Sequence, residues 1–116
     1  MAEYLPIYKP GQAITLAASA TITGGQLVEV TGSGTVGPAG AASVKVVGVA
    51  AFDAATGDNV TIFAGGVQSV LASGAVTAGA VVQAGAGGTV AAGTTAPIGI
   101  ALTTGTDVAV RVQMAR

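Results

Sequence analysis

The chain has 116 residues, of which 51% are hydrophobic and only 8% charged, and its formal net charge is −1 at pH 7. It contains no Cys and no His, which excludes disulfides, zinc–thiolate sites and catalysis by cysteine or histidine. The four cations are scattered and form no basic patch for phosphate. We therefore expect no nucleic-acid partner, no cofactor, no metal site and no enzymatic activity.

The first dozen residues, MAEYLPIYKPGQ, differ in composition from the rest of the chain. They hold both tyrosines and two of the four prolines, and proline favours extended backbone. Tyrosine is a frequent interface anchor. We predict that residues 1–12 form an extended arm that docks on a partner. The alternative is a poorly ordered terminus, which most domains have. The docking residues are predicted to be Tyr4, Leu5, Pro6, Ile7, Tyr8, Lys9 and Pro10.

From residue 13 onward, short apolar stretches alternate with glycine-rich turns, which is typical of a β-sandwich or barrel. No stretch keeps a helical period, and residues 13–116 are predicted to form one all-β domain. The predicted strands cover residues 13–17, 19–23, 27–31, 35–36, 44–51, 60–64, 67–71, 81–84, 89–91, 98–102 and 107–114.

The central segment, VKVVGVAAFDAATGDNVTIFAGGV, predicts two strands joined by a polar loop. Asp53 and Asp58 lie in that loop, and we interpret them as turn residues, with a weak cation site as the alternative. Gly48 and Gly99 lie inside predicted strands, where glycine indicates a bulge or a close backbone approach. Arg111 is predicted to pair with an acid or to lie at a subunit contact. The alternative is that its side chain is a solvated charge that contributes little to stability.

The chain contains an internal repeat. TGGQLVEVTGSGTV aligns without a gap with TAGAVVQAGAGGTV, and two further blocks follow in the same order. Two similar units are therefore expected to pack face to face around one core. That core consists of small aliphatic side chains, which bury little area each, so we expect an oligomer or a host surface to supply further stability.

No segment is predicted to cross a membrane, because the most apolar window, residues 67–82, is interrupted by polar residues and glycine. The N-terminus also lacks a basic segment ahead of an apolar core, so no signal peptide is expected. The chain is expected to fold in the cytoplasm of the cell that makes it.

The segments VKVVGVAAFDAATGDNVTIFAGGVQSV, LVEVTGSGTVGPAGAASV and IGIALTTGTDVAVRVQM resemble capsid decoration (cement, head-stabilising) proteins of tailed bacteriophages, the class of the lambdoid decoration protein. The resemblance covers most of residues 11–114. It implies a compact, β-tulip-like domain that forms a homotrimer on the capsid exterior. It further implies an N-terminal arm that binds the major capsid protein, and assembly of the virion inside the host cell.

The alternative interpretation is a β module of a phage tail, a fibre or a bacterial surface protein, which we would expect within a longer chain or behind a secretion signal. A small-molecule or sugar-binding domain is disfavoured because binding pockets need aromatic and convergent polar side chains. Both are scarce here.

Overall fold

The computed structural model describes residues 7–8 and 11–115. Within them the regular secondary structure is almost entirely β-strand, and a short 3-10 turn at Ala86–Gly88 is the helical part. The strands are β1 (Ile14–Ala18), β2 (Leu27–Gly32), β3 (Thr35–Pro38), β4 (Val46–Ala50), β5 (Asn59–Phe63), β6 (Val67–Leu71), β7 (Ala75–Val76), β8 (Val81–Ala84), β9 (Val90–Ala92), β10 (Pro97–Ala101), β11 (Gly105–Thr106) and β12 (Ala109–Met114). The predicted all-β fold class, with a barrel, is confirmed.

The first five strands close into a barrel with the order β1-β3-β2-β4-β5. Strand β1 completes it by pairing antiparallel with β5, where Thr15 lies opposite Thr61, and parallel with β3, where Ala17 lies opposite Thr35. Closure satisfies the backbone groups that an open sheet would leave at its edges.

The remaining strands form a five-stranded sheet with the order β6-β12-β10-β8-β9 and a two-stranded sheet of β7 and β11. The order β9-β8-β10-β12 repeats the barrel order β3-β2-β4-β5 strand by strand. The β1–β3 pairing also has a counterpart, because Ala18 is opposite Val36 in the barrel and Ala72 forms an isolated parallel bridge with Val90. This second sheet is nevertheless open, since the counterpart is a single bridge.

The buried side chains form two clusters. One fills the barrel and includes Val28, Val36, Val60 and Ile62. The other lies between the barrel and the second sheet, where Leu27 and Val49 of the barrel pack against residues of β6–β10 and β12. The expected single core between two halves is thus replaced by a barrel interior and an inter-sheet layer. Both clusters are aliphatic, and no polar side chain is buried within the described residues.

The two intrastrand glycines mark close backbone approaches, as predicted. A Cβ at Gly48 would collide with the carbonyl oxygen of Phe63, and a Cβ at Gly99 would collide with the carbonyl oxygen of Gln113. The strand register shifts near both positions, opposite Gly48 on β2 and beside Gly99 on β10. Only glycine lets these strands approach their neighbours so closely.

The predicted strand at residues 19–23 is wrong. Strand β1 ends at Ala18, and the last backbone bond to β3 on this side is from the N–H of Ser19 to the carbonyl of Val36 (2.8 Å). After it, Ile22 forms only an isolated bridge with Ala54.

Candidate functional site

The described part of the predicted arm consists of Ile7 and Tyr8. The side chain of Ile7 is 86% exposed and that of Tyr8 is 40% exposed. The Tyr8 hydroxyl accepts a hydrogen bond from the backbone N–H of Thr15 in β1 (3.3 Å). The other predicted docking residues, Tyr4, Leu5, Pro6, Lys9 and Pro10, lie outside the described residues.

Strand β6 is a free edge of the second sheet. It pairs antiparallel with β12 on one side, and no strand of the described chain runs along the other. The N–H of Met114 donates to Gly66 (2.8 Å) and the N–H of Ala72 donates to Val108 (2.9 Å). Because hydrogen-bonded pairs alternate in antiparallel sheets, the even-numbered residues of β6 bond to β12.

The odd-numbered residues of β6, Val67, Ser69 and Leu71, therefore direct their N–H groups away from the sheet. Their side chains lie on the outer face, where Val67 is 55% and Leu71 is 52% exposed. The segment VQSVL has no Lys, no Pro and no register shift against β12. It thus lacks the devices by which proteins protect exposed strand edges.

The barrel covers the corresponding edge of β1 at two points. The N–H of Ala17 donates to Gly34 (3.2 Å), and the N–H of Thr15 donates to the hydroxyl of Tyr8 (3.3 Å). Aligned on the bridges Ala18–Val36 and Ala72–Val90, the equivalents of Thr15 and Ala17 are Ser69 and Leu71.

The second sheet stays open because the turn after β8 bonds to the barrel instead of to β6. The N–H of Gly88 donates to the carbonyl of Ala39 (2.8 Å), and the side-chain amide of Gln26 donates to the carbonyl of Gly87 (3.1 Å). A Cβ at Gly88 would approach Gln26 Cβ to 2.8 Å, so glycine permits this docking.

A groove of about 360 Å³ lies where the turn leaves the β6 edge. Ser69 and Leu71 form one wall, residues 87–89 and the barrel turn at residues 24–26 form the others, and no charged side chain lines it. The groove can accept the end of an extended, uncharged segment, but its lining offers no acid, base or nucleophile arrangement for catalysis.

Arg111 lies beside this edge, directly opposite Ser69 on β12, with an exposed side chain. Its backbone faces β10, since its carbonyl accepts from the N–H of Leu102 (2.7 Å) and its N–H donates to the hydroxyl of Thr103 (3.0 Å). Within residues 7–8 and 11–115, the salt bridge formed is Lys45–Glu29 (4.0 Å). The predicted acidic partner of Arg111 is thus not found among the described residues.

The carboxylate side chains of the described residues accept hydrogen bonds from backbone N–H groups. Asp53 accepts from Gly24 (2.8 Å), Asp58 from Ala55 (3.3 Å), Asp107 from Gly74 (2.7 Å) and Glu29 from Gly40 (2.7 Å). Asp58 accepts from a residue of its own loop, as the turn interpretation predicts, whereas Asp53 connects its loop to the turn at Gly24. In the described part of the chain no three acidic side chains come together as a metal site would require.

Sequence reasoning identified β6 as a strand but missed that its edge is free. The outward residues Val67, Ser69 and Leu71 include no lysine to protect an edge, but the covered strand β1, ITLAA, includes none either, so this pattern alone does not identify a free edge. The described residues also include no helix long and apolar enough to cross a membrane.

The model of the phage cement protein family matches residues 8–115. The chain belongs to the phage cement protein family. The match covers the whole β domain, so the barrel, the second sheet and the free β6 edge all lie within the family region. A member of this family is a structural protein of the virion that binds the phage capsid and stabilises it.

The fold also resembles a solved phage structure. The N base of the head fiber gp8.5 of bacteriophage phi29 superposes with a TM-score of 0.72 over 89% of this chain and 92% of that chain, at 18% sequence identity. At this identity the similarity concerns the fold alone. No curated protein has a significant match to the sequence.

Proposed function

We propose that this protein is a decoration protein on the outer surface of the capsid, where it contacts the major capsid protein and strengthens the mature shell. Family membership over residues 8–115 is the observation that carries the proposal. The described surface supports a structural role, since Asp53 and Asp107 accept from backbone N–H groups and the groove is uncharged. No catalytic role is proposed, and synthesis is assigned to the host cytoplasm.

The capsid-binding arm is proposed to comprise residues 1–12, with Tyr4, Leu5, Pro6, Ile7, Tyr8, Lys9 and Pro10 in contact with the shell. The exposed Ile7 supports this, because covering such a side chain contributes roughly 1.5–3 kcal/mol. Tyr8 connects the part of the arm nearest the barrel to β1 through Thr15, so an arm bound to the shell also holds the barrel there.

A homotrimer is the proposed assembly. The two phenylalanines of the chain, Phe52 and Phe63, are both about half exposed on the barrel, whereas both cores are aliphatic. Aromatic side chains are enriched in the centres of interfaces, which supports their covering by another subunit. Three arms on one trimer would raise the avidity for the shell without any stronger single contact.

The test uses shells of the parent virion, assembled from its major capsid protein and free of this protein. Wild-type protein is expected to co-sediment with the shells and to appear on their outer surface in electron micrographs. Deletion of residues 1–10 should abolish binding while the domain stays folded and oligomeric, as judged by circular dichroism and sedimentation velocity.

A matched pair of single variants separates the arm from general surface apolarity. Ile7→Ser should weaken binding, whereas Val44→Ser, which removes an exposed valine from the loop before β4, should not. Failure of the wild-type protein to bind shells would reject the decoration function. If the protein without residues 1–10 still bound the shells at full occupancy, the arm would be rejected as the capsid contact while the decoration function would stand.

A further inference from the structure

We propose that residues 1–5 of this chain, MAEYL, add to the free edge of β6 as an antiparallel strand in the protein that is not bound to shells. The segment lies outside the described residues. The edge offers the outward N–H groups of Val67, Ser69 and Leu71 over about 16 Å, which is the length of five extended residues. The pairing goes beyond the proposed capsid contact and is independent of it.

Charge complementarity points to this segment as the occupant. Arg111 lies opposite Ser69 on β12 and forms no ion pair within residues 7–8 and 11–115. The sequence contains five acidic side chains, and the four in the described residues accept hydrogen bonds from backbone N–H groups: Glu29, Asp53, Asp58 and Asp107. The fifth is Glu3. Placed opposite Ser69, it lies two strand spacings from Arg111, about 10 Å, which the two side chains span together.

The same register brings apolar side chains together. Alternate residues of a strand share one face, so Leu5 lies opposite Val67 and Met1 lies opposite Leu71 when the acid is opposite Ser69. Val67 and Leu71 are about half exposed, and cross-strand neighbours on one face interact directly. A shift by one residue would move the acid to the other face of the sheet. The segment therefore matches the edge in one register.

The connectivity of the chain brings its own arm to this edge. Ile14 of β1 lies opposite Ile62 of β5, and Val67 follows Ile62 by five residues, so it lies at most about 18 Å away. Two strand spacings add about 10 Å to this path. Leu5 precedes Ile14 by nine residues, which span about 30 Å when extended. The arm thus reaches the Val67 end of β6 with residue 5 nearest to it, which gives the antiparallel direction.

The arm already covers the equivalent edge of the barrel. The hydroxyl of Tyr8 accepts from the N–H of Thr15, which is the counterpart of Ser69 in the repeat. This bond starts the arm beside the β1 strand of its own chain. The groove beside Ser69 and Leu71 leaves room for another backbone. A segment on a short tether has an effective concentration on the order of millimolar, which favours it over a second copy in micromolar solution.

Paired cysteines test the contact, because the chain contains no Cys. Residues that form a hydrogen-bonded pair in an antiparallel sheet have Cα atoms about 5.5 Å apart, within the range that a disulfide bridges. The full-length variant with Leu5→Cys and Val67→Cys should therefore form a disulfide under mild oxidation without shells. Non-reducing electrophoresis and mass spectrometry should place the disulfide within a single chain, and its yield should not change on dilution.

Two control pairs separate a paired strand from a mobile arm. Leu5→Cys with Val44→Cys places the second cysteine on the exposed loop before β4. Tyr4→Cys with Val67→Cys shifts the register by one residue. Both controls should form the disulfide about tenfold more slowly than the matched pair, because neither holds its two sulfurs at bonding distance. All reduced variants should keep the wild-type melting profile.

The charge contact has its own test. In the matched cysteine pair, Arg111→Gln and Glu3→Gln should each slow disulfide formation by up to about fivefold, the range of an exposed ion pair. The two changes together should have no larger effect than either alone, since they remove the same interaction. In the cysteine-free protein, hydrogen exchange should show protected amides at Ser69 and Leu71 that lose protection when residues 1–5 are deleted.

Each alternative occupant gives a different result. Disulfides between chains would show that a second copy supplies the strand. Equal rates for the matched and control pairs would show that residues 1–5 do not pair with β6. Edge amides that exchange rapidly in the free protein and become protected on shells would show that a capsid segment occupies the edge. Any of these results overturns the assignment to this chain's own arm. The proposed capsid function is unaffected, since it is rejected only if wild-type protein fails to bind shells.

Discussion

Substitution of Gly99 by alanine tests how tightly the second sheet is packed. A Cβ at this position would collide with the carbonyl oxygen of Gln113 and would lie 3.0 Å from its carbonyl carbon and 3.2 Å from the Cα of Met114. These are backbone atoms of β12, which is held between β6 and β10, so no side-chain rotation relieves the contact. Overpacking typically costs 1–3 kcal/mol, and a rigid neighbour places this case at about 2–4 kcal/mol.

For a domain of this size, a loss of 1 kcal/mol lowers Tm by about 4 °C, so Gly99→Ala should melt about 8–16 °C below the wild-type protein. Thermal unfolding followed by circular dichroism measures the change. Gly40→Ala is the control, because its Cβ would meet only the Glu29 carboxylate at 3.7 Å, and its effect should stay within about 0.5 kcal/mol. If the two variants melted at the same temperature, the close approach of β10 to β12 would be refuted.

Substitutions at three further positions test other contacts. Ile62→Ala should lower the free energy of unfolding in urea by about 2–5 kcal/mol, because Ile62 is fully buried in the barrel; a loss as small as that of a surface substitution would contradict the barrel core. Asp107 has a positive φ of 53° and accepts the N–H of Gly74 (2.7 Å), so Asp107→Ala should cost about 1–2 kcal/mol whereas Asp107→Asn, which keeps the acceptor and tolerates this backbone, should cost clearly less. Equal losses would count against the turn role. Lys45→Met should change stability by less than about 1 kcal/mol, since its 4.0 Å pair with Glu29 is exposed on the lysine side; a larger loss in the same urea titration would show that the pair is structural.

The sequence by itself determined the fold class and the kind of function. The period-two alternation of Val110, Val112 and Met114 places these side chains in the inter-sheet core, as found. The glycines at positions 48 and 99 indicated close backbone approaches because no other residue fits there. The scarcity of reactive side chains and the resemblance to decoration proteins pointed to a structural role in the capsid, and the family match agrees.

Only the tertiary structure decided which strand edge is free. The segments around Thr15 and Ser69 are both predicted as strands from local sequence, yet the first is covered by Tyr8 and Gly34 and the second is open. The difference depends on Gly88 bonding to Ala39, two residues 49 positions apart. Whether the edge of a strand is paired depends on which segment lies next to it in the fold. Such long-range contacts leave no periodic signal in the sequence of the strand itself. The absence of an ion pair at Arg111 within the described residues was likewise visible only once Asp53 and Asp107 were located at backbone N–H groups.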